Sequence, residues 1–213
     1  MSISDLRHSY ENAPRFDVDD LADDPIDQFH AWFEQAVSAK IMEPNAMTLA
    51  TADPAGRPDA RMVLLKDADA RGFTFYTNYQ SAKANQIAVH SEVALVFYWD
   101  VLFRQVRIRG PITKVDRDEA AAYWQTRPRA SQMGAIASHQ SAELKDRAEL
   151  EASFEKIAKQ HAGDAPIPLP DDWGGYRVIP SAIEFWQGQR SRLHDRLVYV
   201  HDAEGWQVKR LAP

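Results

Sequence analysis

The chain has 213 residues, 45% of them hydrophobic, enough for one substantial core. Its 25 Lys and Arg against 31 Asp and Glu leave a net charge of −6, the wrong balance for a general nucleic-acid binder that must neutralise phosphates. With no cysteine, disulfides, thiolate catalysis and cysteine-based zinc or iron–sulfur centres are excluded.

In chain order, residues 1–22 are polar and aperiodic and predict a mobile arm, without the apolar run of a secretory leader. Asp24-Pro25 supplies an N-cap followed by proline at the first helical position. Ile26, Phe29, Phe33, Ala36, Val37 and Ile41 continue at helical spacing, so a helix is predicted to about Lys40. Strands are predicted over 46–52, 61–66 and 73–77, separated by the turn sequences D-P-A-G-R-P and D-A-D-A-R-G. A short helix over 82–90 and strands over 93–99 and 104–115 follow. The most apolar window, 93–103, is too short for a membrane span and carries Asp100. Helices are expected over 116–126, ending where Pro128 disfavours the α conformation in Arg127, then over 128–137 and 142–160. After the loop G-D-A-P-I-P-L-P-D-D, strands return over 176–179, 182–187, 192–201 and 206–211.

Strands joined by short turns indicate an antiparallel meander or Greek-key barrel rather than βαβ units. The expected class is α+β, mainly β, with peripheral helices. Residues 23–213 read as one domain, since no repeat or composition break divides them. A cytoplasmic protein is expected, with neither nucleic acid nor membrane as partner. The histidines show no metal-binding spacing, and no metal is expected.

Four places gather the cations, hydroxyls and backbone N–H groups that phosphate prefers. Arg61 and Lys66 bracket an apolar strand, although strand ends that snorkel into water would look the same. Tyr76 to Lys83 (Y-T-N-Y-Q-S-A-K) joins a strand end to a helix start near Ser81, where anions are favoured; an ordinary serine cap is the plainer explanation. Tyr123, Arg127 and Ser131 recur every four residues around a helix junction that is equally compatible with plain surface.

The fourth is F-W-Q-G-Q-R-S-R-L-H-D-R-L, from Phe185 to Leu197. In a strand, Arg192, His194 and Arg196 share one face, and two cations ~7 Å apart repel by roughly 2 kcal/mol at an effective dielectric of about 20. Such a row suits either a solvated edge or an anionic ligand. Asp195 is expected to orient an arginine or cap a backbone N–H, and Arg190 to sit in solvent.

The run I-E-F-W-Q-G-Q-R-S-R-L-H-D-R resembles the signature of the pyridoxine/pyridoxamine 5′-phosphate oxidases. R-M-V-L-L-K, F-Y-T-N, R-Q-V-R-I-R-G, S-Q-x-G at 131–134, Gln140-Ser141, W-G-G-Y-R and the terminal R-L-A-P fall in the same family order. The resemblance implies an FMN-binding split β-barrel, built as a homodimer with flavin at the interface. It implies FMN contacts from Arg61, Met62, Val63, Leu64, Leu65, Lys66, Tyr76, Thr77, Lys83, Gln105, Gln140, Ser141, Trp186 and Arg196. It assigns the phosphate of a vitamin B6 substrate to Lys66, Tyr123, Arg127 and Ser131. Arg192, Leu193 and His194 would meet the substrate ring, with Arg192 and His194 catalytic, while Arg7 and Tyr10 close over it. One departure stands out: Ser81-Ala82-Lys83 lacks the arginine that commonly precedes the lysine, which implies weaker FMN retention.

The implied reaction oxidises C4′ of pyridoxamine or pyridoxine 5′-phosphate to pyridoxal 5′-phosphate, with O2 giving H2O2 and the amine giving NH3. Two alternatives stay open: a split-barrel reductase using a deazaflavin or nicotinamide, and a carrier that binds pyridoxal phosphate or FMN without turnover.

Overall fold

The computed structural model describes residues 2–6, 9–11 and 13–213. Its strands are β1 (Ala46–Ala52), β2 (Pro58–Leu64), β3 (Asp67–Asp69), β4 (Gly72–Asn78), β5 (Glu92–Trp99), β6 (Arg104–Lys114), β7 (Trp173–Val178), β8 (Ala182–Gln187), β9 (Asp195–Asp202) and β10 (Gly205–Arg210). They form one antiparallel sheet ordered β10-β9-β8-β6-β5-β1-β2, with β3, β4 and β7 branching from β6. Five α-helices lie among the described residues: α1 (Pro25–Ser38), α2 (Ala82–Val89), α3 (Arg117–Thr126), α4 (Arg129–Ala137) and α5 (Arg147–Gln160). None is long and apolar enough to cross a membrane.

Two corners curl the sheet into a split barrel. The first half of β6 pairs with β8 and its last residues pair with β7. Between them Gly110 lets the chain pass close to the β7–β8 link, since a Cβ there would lie 2.0 Å from the Ile179 carbonyl oxygen. At the other corner, β2 pairs with β1 and β3 with β4. The switch falls at Leu65, whose N–H bonds Asn45 O at 2.8 Å, and Lys66, whose N–H bonds Thr74 O at 2.8 Å.

Alternation decides which face is filled. In β5, Val93, Leu95, Phe97 and Trp99 are buried, and in β1 Met47, Leu49 and Thr51. Helix α1 closes this interior, its Phe29 and Trp32 packing against Phe73, Phe97 and Phe185. On the opposite face of the sheet, Tyr98 of β5 is 57% exposed.

Several boundaries differ from the sequence reading. Helix α1 starts as expected, Asp24 Oδ1 accepting Ile26 N–H at 2.6 Å. It ends before Lys40, whose φ of 59° is left-handed. The turn D-A-D-A-R-G contains the short strand β3, and the strand placed at 61–66 is β2, ending at Leu64 where the corner begins. Helix α5 starts at Arg147, not at 142, because Asp146 caps it by accepting Glu149 N–H at 3.0 Å. In the N-terminal segment, residues 2–6 are exposed. Phe16 is buried against Trp32, and Tyr199 donates its hydroxyl to Ala22 O at 2.5 Å.

The strand expected to begin at Arg192 begins at Asp195. Arg190–Arg192 form a 3-10 turn with left-handed φ at Ser191 (56°) and Arg192 (61°). The predicted row of Arg192, His194 and Arg196 on one strand face does not form.

Candidate functional site

A cavity of about 770 Å³ opens where the end of β4, the β2–β3 corner, α2 and the α3–α4 junction converge. Met62, Val63, Leu64 and Lys66 line it from the corner, Tyr76 and Thr77 from β4, and Lys83 from α2. Tyr123, Arg127 and Ser131 come from the helix junction, and Gln140 from the loop beyond α4. The sequence places these residues on four separate segments, and the fold brings them to one hollow.

Lys83 is 8% exposed, and its ammonium donates to Gln140 Oε1 at 2.8 Å, Thr77 Oγ1 at 3.2 Å and Ser81 Oγ at 3.2 Å. All three acceptors are neutral. Burial, with the nearby Arg61 charge second, pushes the Lys83 pKa down from 10.5 to about 8. Arg127 lies over the Trp173 ring at 4.7 Å and the Trp124 ring at 5.2 Å, and its Nη1 is buried with no hydrogen-bond partner among the described residues. Burial lowers its pKa as well. Two cations held by neutral groups, one with a free buried donor, are the chemistry of a cavity made for anions.

The opposite wall is aromatic. Tyr76 stacks on Tyr123 with centroids 3.9 Å apart and on Trp173 at 5.5 Å, the planes within 11° and 9°. Burial, then the Glu119 charge, push the Tyr76 phenol up to about 12, so it stays neutral. Aromatic surface beside anion-seeking cations fits a flat conjugated ring carrying a phosphate.

Other expected residues stand elsewhere. Arg61 is committed to Thr51 Oγ1 (2.6 Å), Leu49 O (3.1 Å), Gln86 Oε1 (3.0 Å) and Asp59 Oδ2 (2.6 Å), outside the cavity lining. Leu65 turns into the core. Ser141, with φ 73°, lines a smaller cleft of about 240 Å³ together with Ala82 and Gln140. Arg7 lies outside the described residues.

Gln105, Trp186 and Arg196 form a row across β6, β8 and β9 on the open sheet face, paired directly in register. Arg196 Nε donates to Glu184 Oε1 at 2.9 Å, and Arg107 reaches the same buried carboxylate at 3.4 Å. Next to this row, the His194 ring lies 4.6 Å from Trp186 and 5.5 Å from Tyr10. Gln189 N–H donates to His194 Nδ1 at 3.0 Å, which puts the proton of the neutral ring on Nε2. Burial, then Arg192, lower the His194 pKa, with Asp195 opposing. Arg192 and Leu193 are exposed, and none of this second group lines the cavity of its own chain.

Asp195 does both things expected of it: its carboxylate accepts Phe16 N–H at 3.1 Å and pairs with Arg210 at 3.4 Å. Arg190 is exposed. The sequence reading gave Trp173 no role, although W-G-G-Y-R was noted; only its contact with Tyr76 and Arg127 reveals one.

A curled antiparallel barrel with this cavity defines a split-barrel flavoprotein. Residues 33–161 match the family model described as pyridoxamine 5′-phosphate oxidase. Residues 173–213 match that of the pyridoxine 5′-phosphate oxidase C-terminal dimerisation region. A Burkholderia cenocepacia protein named pyridoxine/pyridoxamine 5′-phosphate oxidase is 52% identical over 215 residues, covering 100% of this chain and 99% of that one. Among solved structures, PhzG from Burkholderia lata, in complex with tetrahydrophenazine-1-carboxylic acid, superposes with a TM-score of 0.86 at 32% identity, covering 92% of this chain and 95% of that one. A pyridoxamine 5′-phosphate oxidase-related, FMN-binding protein from Nostoc punctiforme shares the fold, with a TM-score of 0.74 at 18% identity over 91% of this chain and 100% of that one. The chain belongs to the pyridoxamine 5′-phosphate oxidase family; it is an oxidoreductase and its cofactor is FMN.

Proposed function

We propose that this chain oxidises pyridoxamine 5′-phosphate and pyridoxine 5′-phosphate to pyridoxal 5′-phosphate, with O2 as electron acceptor. The observation that carries the reading is Arg127, an unpartnered buried donor in the same cavity as Lys83 but on a different element. In this reading the two cations serve two phosphates, Lys83 that of the flavin and Arg127 that of a phosphorylated substrate. The name of the 52%-identical relative supports the same substrate class.

In this reading Lys83, Thr77 and Gln140 hold the FMN phosphate, and Tyr76 flanks the flavin. Lys66, Tyr123, Arg127 and Ser131 hold the substrate phosphate. The chemistry FMN supplies when bound is acceptance of two electrons and hydrogen from C4′ and their delivery to O2 as H2O2. The chain's own residues fix where C4′ lies. A phosphate anchored at Arg127 gives the substrate one fixed end, and Arg192 with the Nε2–H of His194 gives it the other. With the amine, water then hydrolyses the substrate imine, releasing NH3 and leaving the aldehyde.

Arg192 and His194 do not reach the cavity of their own chain, so the reading requires a homodimer in which each copy completes the other's site. Two observations support this: the matched dimerisation region contains both residues, and the row of Gln105, Trp186 and Arg196 continues across the sheet to Tyr98, which is 57% exposed.

The test is direct. Purified FMN-loaded protein is expected to consume O2 with pyridoxamine 5′-phosphate and to form pyridoxal 5′-phosphate, H2O2 and NH3 in equal amounts. A yellow protein that leaves both B6 phosphates unchanged would be a carrier, or an oxidoreductase for another substrate, and the reading would fall.

A further inference from the structure

The way Arg127 is held has a consequence for binding. A buried arginine is ordinarily paired with a carboxylate, which satisfies its donors but also neutralises its charge. Here two indole faces take that place, 4.7 Å and 5.2 Å from the guanidinium carbon. An aromatic face attracts the cation through its quadrupole without capping the N–H groups, which lie in the guanidinium plane. The result is a located cation whose charge and Nη1 donor remain available.

The indoles are themselves fixed. Trp124 is fully buried and donates Nε1–H to Ile167 O at 2.9 Å. It meets Trp173 edge-on at 4.7 Å. The Trp173 carbonyl accepts from Arg117 at 2.9 Å, and the Trp173 ring lies parallel to Tyr76. Trp173 therefore touches both Arg127 and Tyr76, the ring assigned to the flavin.

We propose that Trp173 is a positioning residue that holds Arg127 for the substrate phosphate without neutralising it. The inference rests on the B6-phosphate reading of the cavity. It separates Trp173 from an ordinary core residue, whose loss would weaken every ligand alike.

The experiment compares FMN-loaded wild type, Trp173→Phe and Trp173→Leu on pyridoxamine 5′-phosphate and on unphosphorylated pyridoxamine. Binding of inorganic phosphate is followed separately by 31P line broadening. Trp173→Leu is expected to raise KM for the phosphorylated amine about 5- to 30-fold, the range set by a partly desolvated cation–π contact. Its kcat and its KM for pyridoxamine should stay within about twofold, and it should lose phosphate binding to the holoenzyme. Trp173→Phe, with a smaller and weaker ring face, is expected between wild type and Leu. Equal losses on both amines, or unchanged phosphate binding in the Leu variant, overturn the proposal. Where the Leu variant does not fold, the Phe variant decides: an unchanged preference for the phosphorylated amine overturns it. A wild type inactive on both amines would sink the functional reading instead, and the phosphate titration would still judge Trp173.

Discussion

Raising the pH above about 8 is expected to weaken FMN binding through Lys83. In the protein without ligand, burial among neutral acceptors pushes this ammonium from 10.5 down to about 8, a shift worth roughly 3 kcal/mol. Because the folded value lies below the unfolded one, the lysine's contribution to stability is full above pH 10.5 and is lost as the pH falls through about 8. A phosphate against Lys83 reverses the balance, since an anion favours the charged form. FMN and a proton then bind together, and the affinity must drop as the proton becomes scarce. Were the ordinary value fully restored by FMN, the loss would approach tenfold per pH unit and about 300-fold in all. The assay is FMN titration of apoprotein by quenching of flavin fluorescence from pH 7 to 9.5 at constant ionic strength. Lys83→Met is expected to bind more weakly at pH 7 and to show no slope above pH 8. A flat wild-type profile, or the same slope in the methionine variant, would refute the placement of phosphate at Lys83.

Three further outcomes follow from particular contacts. Ala82 borders a cleft of about 240 Å³ beside Gln140, with room for a longer side chain, so Ala82→Arg is expected to tighten FMN binding in the same titration; no tightening removes the idea that a phosphate cation is missing there. Asp195→Ala removes the acceptor of Phe16 N–H and Gln189 Nε2 and the partner of Arg210. It is expected to cost about 1–3 kcal/mol in urea unfolding and to expose residues 13–17 to proteolysis first. Arg127→Ala and Arg192→Ala, each inactive alone, should regain about a quarter of wild-type activity when mixed and refolded together, because half the dimers then carry one intact site; recovery of none would place both residues in one chain's site.

The parts of the fold that could be read from sequence were those decided locally. Asp24-Pro25 fixes the start of α1 by its own cap, and the alternation of β1 gives its bounds without reference to partners. Strand β3 could not be read, because Asp67 and Asp69 flank a single buried alanine and only the pairing with β4 makes them a strand. The turn at Ser191 and Arg192 was equally hidden, since left-handed φ at residues other than glycine leaves no mark in composition. In the site, clusters of cation and hydroxyl singled out Lys66, Lys83, Arg127 and Ser131, which the fold gathers into one cavity. Division of the anion-seeking places between two phosphates came from the family resemblance alone. Arg61, equally cationic, is drawn off to Asp59 and Thr51, and no pattern in its own segment foretells that. Trp173 was opaque for the opposite reason: its significance lies in a partner distant along the chain.

The crowded cations of R-S-R-L-H-D-R find their explanation in dispersal. On one strand face they would repel, whereas the left-handed turn at Ser191 and Arg192 breaks the row before it forms. Arg190 and Arg192 go to solvent, and Arg196 is paired with the buried Glu184. His194, packed against Trp186 and accepting Gln189 N–H on Nδ1, is held in the neutral form by its surroundings. Arg192, like Arg190, is exposed and has no ion pair among the described residues, and Asp195 is occupied by Phe16, Gln189 and Arg210. A loop built to be inert would have let that aspartate pair with its nearest arginine. With that aspartate engaged elsewhere, the exposed Arg192 stands close to His194, beside the sheet row of Gln105, Trp186 and Arg196.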